Sequence, residues 1–184
     1  RDIDFFLLDD RTYRNADNAP DSPAKGMLGE AQLAWLKDAL LHSHAPFKII
    51  VNGTQMLNDM TGGVGWSHFE NERSQFLEWL SETRIPGVVL LTGDRHYSAL
   101  FKLEREKNYP LYELSCSPLT AGPRRKDISP GNTRLVTGSQ VSERNFCQLD
   151  FSGPVDSRHL TMSVIDADGN LEWSREIASN ELRN

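Results

Sequence analysis

Gly93-Asp94-Arg95-His96-Tyr97 places a carboxylate and an imidazole two residues apart, directly after the apolar run Val88 to Leu91. At that spacing both side chains can face one cavity, and Gly93 permits close approach of the backbone to an ion or anion. Imidazole and carboxylate together suit a zinc, iron or manganese centre. The same pair also reads as a structural Asp-His hydrogen bond or as an acid-base couple, and so short a motif does not choose among the three. No HExxH and no close histidine cluster accompanies it, so too few ligands are visible to complete a metal site.

Other polar groups stand at equivalent places. Asp9, Asp10, Arg11, Tyr13 and Arg14 follow the apolar run Ile3 to Leu8, and Asn52 follows Phe47 to Val51. Arg11 and Arg14 can clamp phosphate oxygens, and the phenol of Tyr13 can donate to them. Equally, the two arginines can neutralise Asp9 and Asp10. Asn52 can ligate a metal or tie down its own loop, the loop role being the simpler. Arg95 adds a guanidinium to the third loop as a further substrate contact. His68, after Trp66 in a stretch containing Gly62, Gly63 and Gly65, reads as a helix-entry residue in a loop that could close over substrate. His42 and His44 end a helix, where imidazolium meets exposed carbonyls favourably, and His159 has no evident chemical partner.

The elements that must hold these groups alternate. Ile3 to Leu8, Phe47 to Val51 and Val88 to Leu91 are apolar runs of the buried-strand kind. Between them, Leu33, Leu36 and Leu40 mark a helix over 28–41, with Trp35 as a core or interface anchor. Phe69, Arg73, Phe76 and Leu80 mark a second, with Trp79 as another anchor and Pro86-Gly87 as the stop. Strand, helix, strand, helix, strand at short spacing implies a largely parallel sheet, whose ligands collect beyond the strands' carboxyl ends. Acids, arginines and a histidine at three such ends should therefore converge. After residue 97 the pattern changes: Tyr109 to Leu114 reads as a strand and 117–138 as a long loop. Phe146 to Phe151, Leu160 to Ile165 and Leu171 to Ile177 are closing strands, the last two joined by the Asp168-Gly169 turn.

Composition narrows the classes. A formal charge of −6 supplies no field for a nucleic-acid backbone, and no stretch approaches the roughly 20 apolar residues that cross a bilayer. Cys116 and Cys147 are the only cysteines, too far apart for a CxxC motif; they could pair if the fold brings them together, but two separate thiols near strands is the expectation. No Gly-x-Ser-x-Gly elbow supports a serine esterase. The chain opens without methionine on a buried-type strand, which is expected of a piece of something longer.

In order, Leu8-Asp9-Asp10-Arg11-Thr12-Tyr13-Arg14, Leu28-Gly29-Glu30-Ala31-Gln32-Leu33-Ala34-Trp35-Leu36, Trp66 with Phe69 and Arg73, Thr92-Gly93-Asp94-Arg95-His96-Tyr97 and Cys116-Ser117-Pro118-Leu119-Thr120 resemble the PhoD-like alkaline phosphatases. The resemblance implies a calcineurin-like metallophosphoesterase sandwich of two mixed β-sheets with outer helices. Residues 1–184 would be its carboxy-terminal portion, with closing antiparallel strands at about 146–178. It implies hydrolysis of phosphate mono- or diesters at two divalent or trivalent ions, with iron, zinc, manganese and calcium indistinguishable. His96 matches the retained histidine of the family's last metal motif. Asp94 stands where many relatives carry another histidine, and Asp9 is a third candidate ligand. Arg11, Tyr13 and Asp94 take catalytic roles, and Arg11, Arg14, Asn52, Arg95 and His68 contact substrate. The earlier aspartate-rich motifs are absent, so the amino-terminal part of the same domain is an expected partner. The family also implies an exported, periplasmic or extracellular protein. The alternative is a noncatalytic binding or structural module that keeps the fold.

Overall fold

The structure, a computed structural model, describes residues 2–60 and 65–184. Gly62 and Gly63 lie outside the described residues. Ten helices and strands follow in order: β1 (Ile3–Leu7), α1 (Glu30–His42), β2 (Phe47–Val51), α2 (Glu70–Thr83), β3 (Val88–Thr92), β4 (Ala99–Arg105), β5 (Asn108–Ser115), β6 (Asn145–Ser152), β7 (His159–Asp166) and β8 (Leu171–Ala178). The larger sheet runs β1-β2-β3-β5-β4, and the smaller is β6-β7-β8. β1, β2, β3 and β5 are parallel, β4 is antiparallel to β5, and the small sheet is antiparallel throughout. The expected α/β architecture of two sheets with helices is the one observed.

The central strands β2 and β3 read as nearly continuous apolar runs because both their faces are covered, whereas β1, at the edge, leaves Phe5 and Leu7 exposed. Phe151 of β6 packs edge-on against Phe47 and Phe5, with ring centroids 5.8 and 6.4 Å away, and so seats the small sheet on one face of the large one. Leu160, Met162 and Val164 of β7 are buried at alternate positions, as a strand with one packed face requires. α1 buries Leu36 and Leu40, and α2 buries Phe76 and Leu80. Trp35 is not a core anchor: the turn that points Leu36 and Leu40 inward leaves it 49% exposed on the helix flank. β1 has β2 as its neighbour on one side and forms an edge among the described strands.

Two features escape the sequence pattern. β4 pairs with β5 through a connection at Glu106-Lys107, where Lys107 takes φ 58° without the glycine or asparagine that normally signals such a turn. Cys116 and Cys147 are not separate thiols. They form a disulfide, with Cα atoms 6.0 Å apart, that ties the end of β5 to β6 across the two sheets.

The helix-side face of β5 carries a fully buried carboxylate, Glu113. It accepts the backbone N–H groups of Met56 and Leu57 and the hydroxyl of Thr92 (2.6 Å), fixing the loop after β2 to the central strands. Burial pushes its pKa above the ordinary 4.5, opposed by Thr92, Leu57, Met56 and the charge of Arg73. A raised carboxyl pKa favours the protonated folded state. That stability is fully present below the unfolded pKa and is lost as pH rises through the folded one. In Glu113→Gln this pH-dependent part is gone, while either amide orientation sets an NH2 against a donor, costing about 1–3 kcal/mol. The stability advantage of wild type over Glu113→Gln is therefore expected to be largest near the ordinary carboxyl pKa and to shrink as pH rises. Urea unfolding across about pH 4 to 8 checks this, and a pH-independent difference would contradict it.

Candidate active site at the strand ends

The in-register pairing Leu7↔Val51 and Val51↔Leu91 brings the carboxyl ends of β1, β2 and β3 to one edge, and the loops leaving them lie side by side. In the first loop Asp9 and Asp10 part company. Asp9 is exposed, and its Oδ1 accepts the N–H groups of Arg11 and Thr12, both at 2.9 Å, closing a turn. The Thr12 side chain foremost, then the N–H groups of Thr12 and Arg11, hold its pKa below the usual carboxylate value. Asp10 points inward and is buried, accepting from Thr54 Oγ1 at 2.8 Å. Alternation from the buried Phe6 would have found it, since residues 6, 8 and 10 share one side of an extended chain.

Arg11 bridges the first and third loops. Its Nε lies 3.8 Å from Asp10 and its Nη2 3.5 Å from Asp94, with about half of its side chain open to solvent. Arg14 pairs with Asp17 at 3.0 Å and with neither Asp9 nor Asp10. Tyr13 is 66% exposed and borders, with Trp35 and the first turn of α1, an open groove of about 470 Å³. Gln32 joins that helix to the first loop, accepting the N–H of Asp9 and donating to its carbonyl, both at 2.8 Å.

At the end of β2, Asn52 does two things at once. Its Nδ2 donates to Thr54 O at 2.8 Å, the loop-tying role, while its Oδ1 is buried without a hydrogen-bond partner among the described residues. A buried amide oxygen left unpaired costs roughly 1–3 kcal/mol, so a cation or donor placed against it is favoured. His68 ends a 3-10 turn, Trp66–His68, that docks on the same loop through Trp66 N–H to Gln55 O at 3.1 Å, the expected helix-entry position.

The third loop is conformationally unusual. Asp94 and His96 take φ 69° and 61°, left-handed values that cost a non-glycine residue about 1–2 kcal/mol each. Asp and His are among the residue types that tolerate this region best. The backbone N–H of His96 donates to Ser117 Oγ at 2.7 Å, and its carbonyl accepts from Arg124 N at 2.7 Å. Its Nδ1 lies 2.8 Å from the carbonyl of Gly122. A carbonyl can only accept, so Nδ1 carries the proton and Nε2 presents the lone pair. Arg95, half-buried between these two residues, belongs to the same turn.

Asp9, Asp10, Arg11, Asn52, Asp94, Arg95 and His96 thus lie on loops at one edge of the sheet, with Asp10, Arg11 and Asp94 in direct electrostatic contact. Arg14 turns aside to Asp17. The partners that fix His96, namely Ser117, Gly122 and Arg124, lie in a segment read as a long loop, of which 116–120 entered the family resemblance with no role assigned to its residues. Among the described residues no three His, Cys, Asp or Glu side chains gather to hold a metal ion. Asn52 Oδ1, His96 Nε2 and the Asp94 carboxylate, carried by the adjacent loops after β2 and β3, are donor types that suit an oxygen- and nitrogen-lined centre.

A family model for PhoD-like phosphatases matches residues 1–166, ending with β7. The fold is similar to a solved structure of PhoD, with TM-score 0.71 at 18% sequence identity, over 96% of this chain and 42% of the other. The chain therefore spans less than half the length of that protein. No match is found among curated proteins.

Gly53 supplies a test of how tightly the first two loops are joined. A Cβ there would stand 2.7 and 2.9 Å from the carboxylate oxygens of Asp10. Gly53→Ala is expected to displace Asp10 from Thr54 and destabilise the chain by about 1–2 kcal/mol. In an Asp10→Ala background the same substitution should become neutral or stabilising, because alanine restricts the unfolded chain. Chemical denaturation of the four proteins reads the cycle, and additivity would contradict the contact.

Proposed function

This chain belongs to the PhoD-like phosphatase family, and on that premise we propose that it supplies the carboxy-terminal share of a metal-dependent phosphoesterase site that hydrolyses phosphate mono- or diesters. The observation that carries the reading is the orphaned, buried Oδ1 of Asn52 at the end of β2, with His96, whose Nδ1 holds the proton, on the loop that leaves the neighbouring β3. Asn52, Asp94 and His96 would hold metal. Ions bound there supply Lewis-acid charge to the phosphoryl oxygens, and iron, zinc, manganese or calcium suits such a donor set. A segment of the same protein outside this chain would provide the remaining ligands.

The chain's own residues do the rest. Arg11, held between two carboxylates yet half open, turns guanidinium N–H groups toward phosphate oxygens. Asp94 orients that guanidinium, and Asp9 closes the turn from which it projects. Arg95 adds positive charge from the third loop, and the Tyr13 hydroxyl donates to the ester from the groove side. Arg14, paired with Asp17, holds the first loop in place. The cross-sheet disulfide supports an exported protein, since such bonds persist in oxidising compartments. No described helix is long and apolar enough to cross a membrane.

The test uses a protein extended through the missing amino-terminal segment and an aryl phosphate with its diester counterpart as substrates. Chelator-sensitive turnover is expected from the extended protein and little from the 184-residue chain. In the extended protein His96→Ala should lower kcat by at least about 100-fold, with His42→Ala, His44→Ala and His159→Ala near wild type. Near-normal turnover of folded His96→Ala with full metal occupancy would overturn the assignment. Folded protein that takes up no metal would favour a noncatalytic module.

A further inference from the structure

Residues 116–124 form the mould for His96, and its first residues are held by the large sheet, through Cys116 N–H to Thr92 O at 2.8 Å, and by the other sheet. Ser117 Oγ accepts the His96 N–H, the Gly122 carbonyl accepts Nδ1–H, and Arg124 N–H reaches the His96 carbonyl. Residues 119–122 are exposed, so the Gly122 carbonyl is held through its flanks, by Arg124 and by Arg125 paired with Glu143 at 2.9 Å on one side and by 116–118 on the other. There, Ser117 N donates to Ser98 Oγ at 3.1 Å, and Asn145 of β6 donates through its backbone to Pro118 O at 3.1 Å and through Nδ2 to Ser117 O at 3.3 Å. The covalent member of this anchor is the disulfide from Cys116 to Cys147, two residues along β6 from Asn145. Both cysteines are partly open to solvent.

We propose that the Cys116–Cys147 disulfide is a positioning bond for the His96 imidazole, so that the lone pair on Nε2 is presented to the site only while the two cysteines are joined. The inference deepens the phosphoesterase reading and rests on it for its consequence in metal binding. It stands on the loop contacts alone for its consequence in imidazole geometry. Reduction by a dithiol breaks the Sγ–Sγ bond. Each cysteine ends as a thiol, and the dithiol supplies two electrons and two protons as it closes into its own disulfide. The loop then keeps only hydrogen bonds, from Asn145 of β6, from Ser98 and from Cys116 N–H to Thr92 O. The Gly122 carbonyl leaves Nδ1, and the imidazole samples both tautomers. Left-handed His96 loses the contacts that over-determine it.

Long-range proton–nitrogen NMR spectra of the histidine rings, recorded above about pH 8 where imidazole is neutral, read this directly. His96→Ala identifies the signal. In the oxidised chain His96 is expected to show Nδ1 as the protonated nitrogen and Nε2 as the bare one. After dithiothreitol, and in Cys147→Ser, the two shifts should move toward each other, with His42, His44 and His159 unchanged. A disulfide that only staples the fold would lower the melting temperature and leave the His96 tautomer as it was, and that result overturns the proposal. So does an oxidised chain whose His96 already shows mixed tautomers, or loss of far-UV circular dichroism on reduction, which would make the bond a requirement of the whole fold. In the extended protein, reduction should weaken metal affinity by at least about 10-fold. A tautomer change without a change in metal affinity would leave the positioning role standing and sink the metal role of His96.

Discussion

The structure depends on a parallel ladder whose central strands are buried on both faces. Phe47 to Ile50 of β2 and Val88 to Leu90 of β3 are all buried, so the strand interiors have almost no room for polar side chains. The exceptions show how strict the constraint is. Lys48 survives inside only because its Nζ donates to the carbonyls of Ala45 and Pro86 at the amino end of the sheet, and burial still lowers its pKa. Glu113 survives because Thr92 and two backbone N–H groups surround it. Polar chemistry is driven to the strand ends, and parallel register puts three of those ends on one side.

At that edge the electrostatics are balanced and not saturated. Arg11 sits between Asp10 and Asp94 at distances of 3.8 and 3.5 Å, long enough that a phosphate oxygen can compete for its N–H groups. Asn52 satisfies its donor and leaves its acceptor alone, and His96 satisfies the proton on Nδ1 and leaves Nε2 bare. In each case one half of a bifunctional side chain fixes the geometry and the other half is free for an electron-poor partner. Two left-handed departures, at Asp94 and His96 on either side of Arg95, are tolerated because the surrounding loop holds them.

Much of this was legible because it follows from local rules. Apolar runs of strand length gave β1, β2 and β3, Leu36 and Leu40 gave α1, and Asp168-Gly169 gave the β7–β8 hairpin. The strand ends then named Arg11, Asn52, Asp94 and His96 without reference to coordinates. What was hidden depended on long-range partners. Alternation from Phe6 marks Asp10 as the inward-facing aspartate, but its partner, Thr54, lies 44 residues away and has no local signal. The disulfide spans 31 residues of chain, and nothing local distinguishes such a pair from two thiols. The β4–β5 turn lacks its usual residues because the strands around it, with Leu103↔Leu111 in register, impose the conformation on Lys107.

The closing strands contribute no group to the proposed chemistry, yet they hold the site. Phe151 of β6 lies against Phe5 and Phe47 near the start of the parallel strands, whereas Asn145 and Cys147 of the same strand grip residues 116–118 near their end. β6 therefore spans the large sheet from its amino to its carboxyl edge and fixes both. Its own place is set by eight residue pairings with β7, whose buried Leu160, Met162 and Val164 pin it to the core. A histidine after β3 thus takes its orientation from hydrophobic packing in the second sheet, transmitted through Asn145, the disulfide and the Gly122 carbonyl. That dependence gives a physical reason why an antiparallel sheet without site residues belongs to the same functional unit as the strand ends it supports.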